Sequence, residues 1–134
     1  MLPKTSSHII AVSGVPQSVA NLKEVIHMEK KIVVITGSPR KNGNSFAMTD
    51  AFIRAAEAKG HTVTRFDAAM MRIGGCHACE TCFKTGKACS FDDDFNTIAP
   101  AILEADAVVF TTPVYWYSIP AQIKGVIDRL YSLV

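Results

Sequence analysis

Apolar and polar positions fall into short blocks along the chain. Ile32 to Ile35 is an uninterrupted apolar run and predicts a parallel strand buried on both faces. It stops at Thr36-Gly37-Ser38, and Pro39 and Gly43 kink the polar loop that follows. A helix is expected from Ser45 to Lys59, with Phe46, Ile53 and Ala56 at helical spacing and Gly60 as its stop. Thr62 to Phe66 alternates as a second strand, and Ala107 to Thr111 (AVVFT) predicts a third, buried one. Between them, Asp92-Asp93-Asp94 offers an N-cap and dipole-favourable charge to a short helix. Pro100 is uncomfortable inside a helix, so it is expected to open a second turn at its first position. After an aromatic loop, Thr112 to Ile119, Pro120 opens a final helix from Ala121 to Leu133, with Ile123, Val126, Ile127 and Leu130 on its buried face.

The resulting order is β-α-β, a cysteine-bearing loop, then α-β-α. It argues for a parallel α/β sheet in one domain over residues 29–134. Residues 1–28 carry a short apolar run (His8 to Val12), a turn, and a stretch from Gln17 to His27 that suits a helix. They fit an extra β–α unit or an extension, and the expectation is an extension outside the core fold. No internal repeat or low-complexity tract is visible.

A chain of 134 residues can bury a real core. With 49% apolar and 19% charged residues it is globular rather than disordered. A net charge of +2 is too small to argue for nucleic acid or a membrane surface as partner. No apolar run approaches the roughly 20 residues that span a bilayer. No signal-peptide pattern opens the chain, so a cytoplasmic protein is expected. In that setting four cysteines in one tight cluster point to metal or redox chemistry, not to a disulfide framework.

Three stretches carry candidate chemistry. The first is KIVVITGSPRKNGNS (31–45). A strand that runs into a glycine-bearing loop and then a helix N-terminus aims free N–H groups and a positive dipole end at one place. Ser38, Asn42, Asn44 and Ser45 add neutral donors and Arg40 a charge. Neither G-x-G-x-x-G nor a closing Gly-Lys-Ser/Thr is present, so the loop suits a terminal monophosphate, not a dinucleotide or a nucleoside triphosphate. An ordinary β–α turn rich in turn formers is the competing reading.

The second stretch is Thr112-Pro113-Val114-Tyr115-Trp116-Tyr117, after the third strand. Ligands of doubly wound sheets sit at the carboxyl ends of strands where the winding reverses, a point that lies between the first and third strands if the strand order is 2-1-3. Tyr115 and Trp116 offer flat faces to a planar ring, while Pro113 and Val114 offer backbone groups to its polar edge. Core packing or a partner surface is the alternative, but three adjacent aromatics cannot all point inward. The third stretch is Cys76, Cys79, Cys82 and Cys89, C-x2-C-x2-C-x6-C. Such thiolates can wrap an iron–sulfur (4Fe-4S) cluster. They also suit tetrahedral zinc, or can stand as free thiols. His77, between them, reads as a solvated bystander.

Through GSPRKNGNS (37–45), the Cys76–Cys89 motif, Asp92-Asp93-Asp94 and EADAVVFTTPVYWYSIPAQIKGVIDR (104–129), the chain resembles the NADPH-dependent FMN reductase family of the flavodoxin-like superfamily. Within it, the iron–sulfur flavoprotein branch is the most similar. The resemblance covers nearly everything from Lys31 onward. It implies a flavodoxin-like, doubly wound parallel sheet of order 2-1-3-4-5, bound FMN and a homo-oligomer. It implies phosphate contacts from Ser38, Arg40, Asn42, Gly43, Asn44 and Ser45, and flavin-ring contacts from Pro113, Val114, Tyr115 and Trp116. NADH or NADPH would supply electrons, and a small molecule or a protein would accept them. A cluster on Cys76, Cys79, Cys82 and Cys89 would make one-electron transfer natural. The cofactor carries the redox chemistry, so no side chain is nominated as acid or base.

The family fold continues with two more strand–helix units, whereas this sequence ends at Val134. The expectation is therefore a partial fold, strands 2-1-3, with strand 3 as an open apolar edge. Two other functions share these features: a non-enzymatic electron carrier with the same FMN site, and an inactive or zinc-stabilised fragment of the family.

Overall fold

The computed structural model describes residues 28–134. The extension expected before the core lies, except for its last residue, outside the described residues. Three parallel strands form one sheet, β1 (Lys31–Thr36), β2 (Thr62–Asp67) and β3 (Ala107–Thr111), in the order β2-β1-β3. Ile35 of β1 stands opposite Phe66 on one side and Phe110 on the other. The central strand is buried from Ile32 to Thr36, as its unbroken apolar run requires.

Both faces of the sheet are covered. On one, Val33 and Ile35 pack under α3 (Phe95–Glu104) and α4 (Ala121–Arg129), against Phe95, Ile98, Ala99, Ile123 and Val126. On the other, Ile32 and Val34 meet Ala56 and Ile53 of α1 (Asn44–Glu57), flanked by Val63 and Val109. Each fully buried Ile, Val or Phe contributes about 1.5–3 kcal/mol relative to staying exposed. The period-two alternation along β1 thus decides which helix each residue meets. At the amino end of the sheet, Asp106 accepts the Lys31 amide at 2.8 Å and the Lys30 ammonium at 3.2 Å. Those bonds, the backbone one first, hold its carboxyl below the ordinary aspartate range. Within the described sheet β3 is an edge, and Val108 is exposed there. No helix of the described residues is long and apolar enough to cross a membrane.

The structure corrects two sequence expectations and sharpens a third. Pro100 does not begin a second turn: one helix runs from Phe95 to Glu104 with Pro100 inside it. Its ring faces solvent, while Phe95, Ile98 and Ala99 anchor the opposite face, and this burial outweighs the missing N–H. The last helix is α only to Arg129 and tightens to a 3-10 turn over Leu130–Leu133. The third is the cap of α3. Its N-cap residue, Asp94, makes no side-chain cap and instead accepts the Arg72 amide at 2.6 Å. The carboxylate that accepts a first-turn amide belongs to Asp93, bonded to the Phe95 N–H at 3.2 Å.

Candidate functional site

β1 and β3 end side by side, and the loops that follow them start from one knot of hydrogen bonds. The Gly37 amide donates to the Thr111 carbonyl at 2.9 Å. Thr49 of α1 donates its hydroxyl proton to the Ser45 carbonyl at 2.7 Å, so in its 2.6 Å bond with Thr111 the Thr111 hydroxyl is the donor. No side chain fits at position 37, where a Cβ would lie 2.1 Å from Cγ1 of the buried Ile123. This glycine lets α4 press against the start of the loop.

The loop itself is a tight polar turn. Ser38 is buried, and its Oγ accepts the Arg40 amide at 3.2 Å. The Gly43 amide donates to the Arg40 carbonyl at 3.0 Å. A Cβ at position 43 would press on that carbonyl at 3.1 Å. Gly43 is the N-cap of α1; no side chain caps the helix and no acidic residue sits in its first turn. The first bond inside the helix comes from Ala47, to the Gly43 carbonyl. The amides before it are left free, next to an uncompensated dipole end. Arg40, Asn42 and Asn44 are exposed around them, and Ser45 is half-buried. This cradle fits a terminal phosphate.

After β3, the Thr112 hydroxyl donates to the Pro113 carbonyl at 3.1 Å. Tyr115 and Ser118 then exchange both backbone hydrogen bonds, at 2.8 and 3.0 Å, across a two-residue turn. The turn residues are Trp116 and Tyr117, with φ of 46° and 62°. Positive φ at both positions is the geometry that Asn-Gly usually fills, and a bulky residue there costs about 1–3 kcal/mol. Trp116 is 92% exposed and Tyr117 93%, so neither is held by core packing. Tyr115 and Val114 are exposed as well. The four expected ring-contacting residues, Pro113 to Trp116, thus lie on one short hairpin at the carboxyl end of β3, beside the β1 loop.

The cysteines occupy a separate place. Cys76, Cys79, Cys82 and Cys89 all line one narrow cleft between the loop after β2 and the end of α4. All four are free thiols. The short helix α2 (Thr81–Thr85) carries Cys82 and is bounded by left-handed residues at Glu80 and Gly86. Its Phe83 meets Tyr131 edge to face, with ring centroids 5.1 Å apart. Bonds from Thr81 to Cys79, and from the Ser90 hydroxyl, lower the Cys79 thiol pKa. Among the described residues, no three Cys, His, Asp or Glu side chains converge tightly enough to hold one metal ion. Zinc needs sulfur at about 2.3 Å from a single point. The four thiols share the cleft without converging on one point. His77 lies against Phe91 with centroids 4.7 Å apart.

One residue of that cleft escapes a reading of the sequence. Arg129 ends α4 with its side chain only 2% exposed. Its Nη1 pairs with Asp93 at 2.5 Å and reaches the Gly74 carbonyl at 3.4 Å. The signal was present: Arg129 lies three residues after Val126 and six after Ile123, on the apolar face, and an acidic run waits at 92–94.

The comparisons with known proteins identify the family and the fold. A family model described as NADPH-dependent FMN reductase matches residues 30–132. An iron–sulfur flavoprotein of Archaeoglobus fulgidus is 38% identical over 100 residues, 75% of this chain and 45% of that protein. Another, from Methanocaldococcus jannaschii, is 32% identical over 104 residues, 78% of this chain and 52% of the relative. The chain thus spans about half the length of the curated relatives it matches. Among solved structures, an NAD(P)H:quinone oxidoreductase from Methanothermobacter marburgensis superposes with a TM-score of 0.63 at 23% identity, over 78% of this chain and 54% of the other. That likeness bears on the fold, which is flavodoxin-like.

Proposed function

The chain belongs to the NADPH-dependent FMN reductase family, and we propose that it forms the FMN-binding half of an NAD(P)H-dependent oxidoreductase. The observation that carries this reading is the pairing of an uncapped helix N-terminus after β1 with a strained, exposed aromatic hairpin after β3, on adjacent parallel strands. FMN held there would supply the hydride-accepting and one- or two-electron chemistry of such an enzyme. The residues of this chain bind and orient. Ser38, Asn44 and Ser45 would present donors to the phosphate, Gly43 would keep the turn tight with its own amide on the Arg40 carbonyl, and Arg40 would add a screened surface charge. Tyr115 and Trp116 offer ring faces, and Pro113 and Val114 offer backbone polar groups to the edge of the isoalloxazine. Gly37 lets α4 close against the loop.

The cysteine cleft extends the reading. Cys76, Cys79, Cys82 and Cys89 would hold an iron–sulfur cluster that accepts and gives single electrons. The names of the relatives and the free, co-lining thiols support this assignment. A protein electron acceptor then suits the site as well as a small molecule does. The test of the enzyme reading is anaerobic mixing of the FMN-loaded chain with NADPH or NADH. Bleaching of the flavin absorbance without any partner protein is expected. Flavin that only dithionite reduces would favour the electron-carrier reading.

A further inference from the structure

Among the described residues, Arg129 is the only Lys or Arg that lines the cysteine cleft. Its guanidinium is a planar cation with five N–H donors. One nitrogen, Nη1, is used by Asp93 and the Gly74 carbonyl. The other two, Nε and Nη2, are buried and have no hydrogen-bond partner among the described residues. Phe95 and Phe91 hold the group by its faces, their ring centroids 4.4 and 5.5 Å from Cζ. A buried cationic donor left unpaired is costly, and native structures rarely keep one without a use. This one borders the same cleft as four thiols that bind metal only as thiolates.

We infer that Arg129 is a positioning and charge-compensating residue for the cluster, its two unpartnered nitrogens donating toward the anionic sulfur site; the inference rests on the cluster reading of the cysteines. The balance of the loading step sets the charge. Two ferrous and two ferric ions, four sulfides and four thiolates that have released their protons to solvent give a cluster with two negative charges. Reduction adds another. A buried cation beside it favours the reduced form and raises the potential, because net charge and donors to sulfur set that potential. Asp93 acts with the opposite sign, since it draws on the same guanidinium.

The test uses the full chain reconstituted anaerobically with ferrous and ferric iron and sulfide. Iron and acid-labile sulfide are measured per chain, and the midpoint potential is read by electron paramagnetic resonance. Arg129→Gln is expected to shift the one-electron reduction equilibrium at least tenfold toward the oxidised cluster, a fall of 59 mV or more. Asp93→Asn is expected to move it the other way, and Arg129→Lys to recover part of the loss. A merely structural role would make Arg129→Gln and Asp93→Asn lose iron together, with no opposite shifts in potential, and would overturn the inference. If Arg129→Gln fails to fold, the opposite shift of Asp93→Asn and the partial shift of Arg129→Lys decide it. Wild-type chain that takes up neither iron nor sulfide overturns the cluster reading and the inference with it. Wild-type chain that loads, with variants of unchanged potential, overturns the inference alone.

Discussion

Asp93 and Arg129 meet in the interior, carboxylate to guanidinium at 2.5 Å, and tie the start of α3 to the end of α4. Asp93 also accepts the Gly74 amide at 3.0 Å and the Phe95 amide at 3.2 Å. Removing one partner of a buried pair leaves the other charge uncompensated, at about 3–5 kcal/mol. Asp93→Ala is therefore expected to lower stability by about 3 kcal/mol, measured as a fall in the urea midpoint at unchanged slope.

The same pair sets a pH dependence. Burial pushes the Asp93 carboxyl up, but the Arg129 bond and the two amides outweigh it, and the pKa lies below the ordinary value. A depressed carboxylate contributes stability that is fully present above the unfolded value, about 3.9. It is lost as pH falls through the lower folded value. Wild-type chain should thus lose stability steeply below about pH 4, and Asp93→Asn should show a shallower loss there. Equal slopes in urea melts from pH 5 to pH 2.5 would contradict this.

Gly37→Ala places a methyl where Ile123 Cγ1 already stands. Overpacking of this kind costs about 1–3 kcal/mol. Ile123→Ala alone opens a cavity, at about 2–5 kcal/mol. The two changes should be subadditive, with a coupling of about 1 kcal/mol or more, because each relieves the other. A thermal-denaturation double-mutant cycle measures it, and simple additivity would mean that the loop shifts freely.

These expectations mark what the sequence could and could not convey. The apolar run of β1 and the parallel α/β alternation were legible because each rests on local pattern, unbroken hydrophobicity and strand–helix alternation, whereas the β2-β1-β3 order is not local and followed only from the family resemblance. Pro100 was misplaced because its local penalty was weighed without the burial of Phe95, Ile98 and Ala99, which only the tertiary fold supplies. Arg129 and Asp93 were missed for a related reason. Charged residues default to the surface, and nothing local says that two of them 36 positions apart will be buried together. The left-handed turn at Trp116-Tyr117 was also hidden, since those residues disfavour the geometry they adopt.

That conflict yields a prediction of its own. Replacing Trp116-Tyr117 by Asn-Gly supplies residues suited to the turn, so stability should hold or rise by up to about 1 kcal/mol. FMN affinity should fall severalfold, because the Trp116 ring face is gone. Loss of stability with unchanged flavin binding, read by calorimetry and fluorescence on one preparation, would assign these aromatics to packing instead.

The most direct measurement is an anaerobic titration of the purified chain with FMN, followed by flavin fluorescence, with riboflavin as the comparison. The account predicts saturable quenching by FMN and clearly weaker binding of riboflavin, which lacks the phosphate that the Asn44 and Ser45 amides would hold. Arg40→Ala should weaken only the FMN curve, and more so at low salt. No saturable quenching, or equal affinity for the two flavins, would contradict the assignment of the β1 and β3 loops to an FMN site.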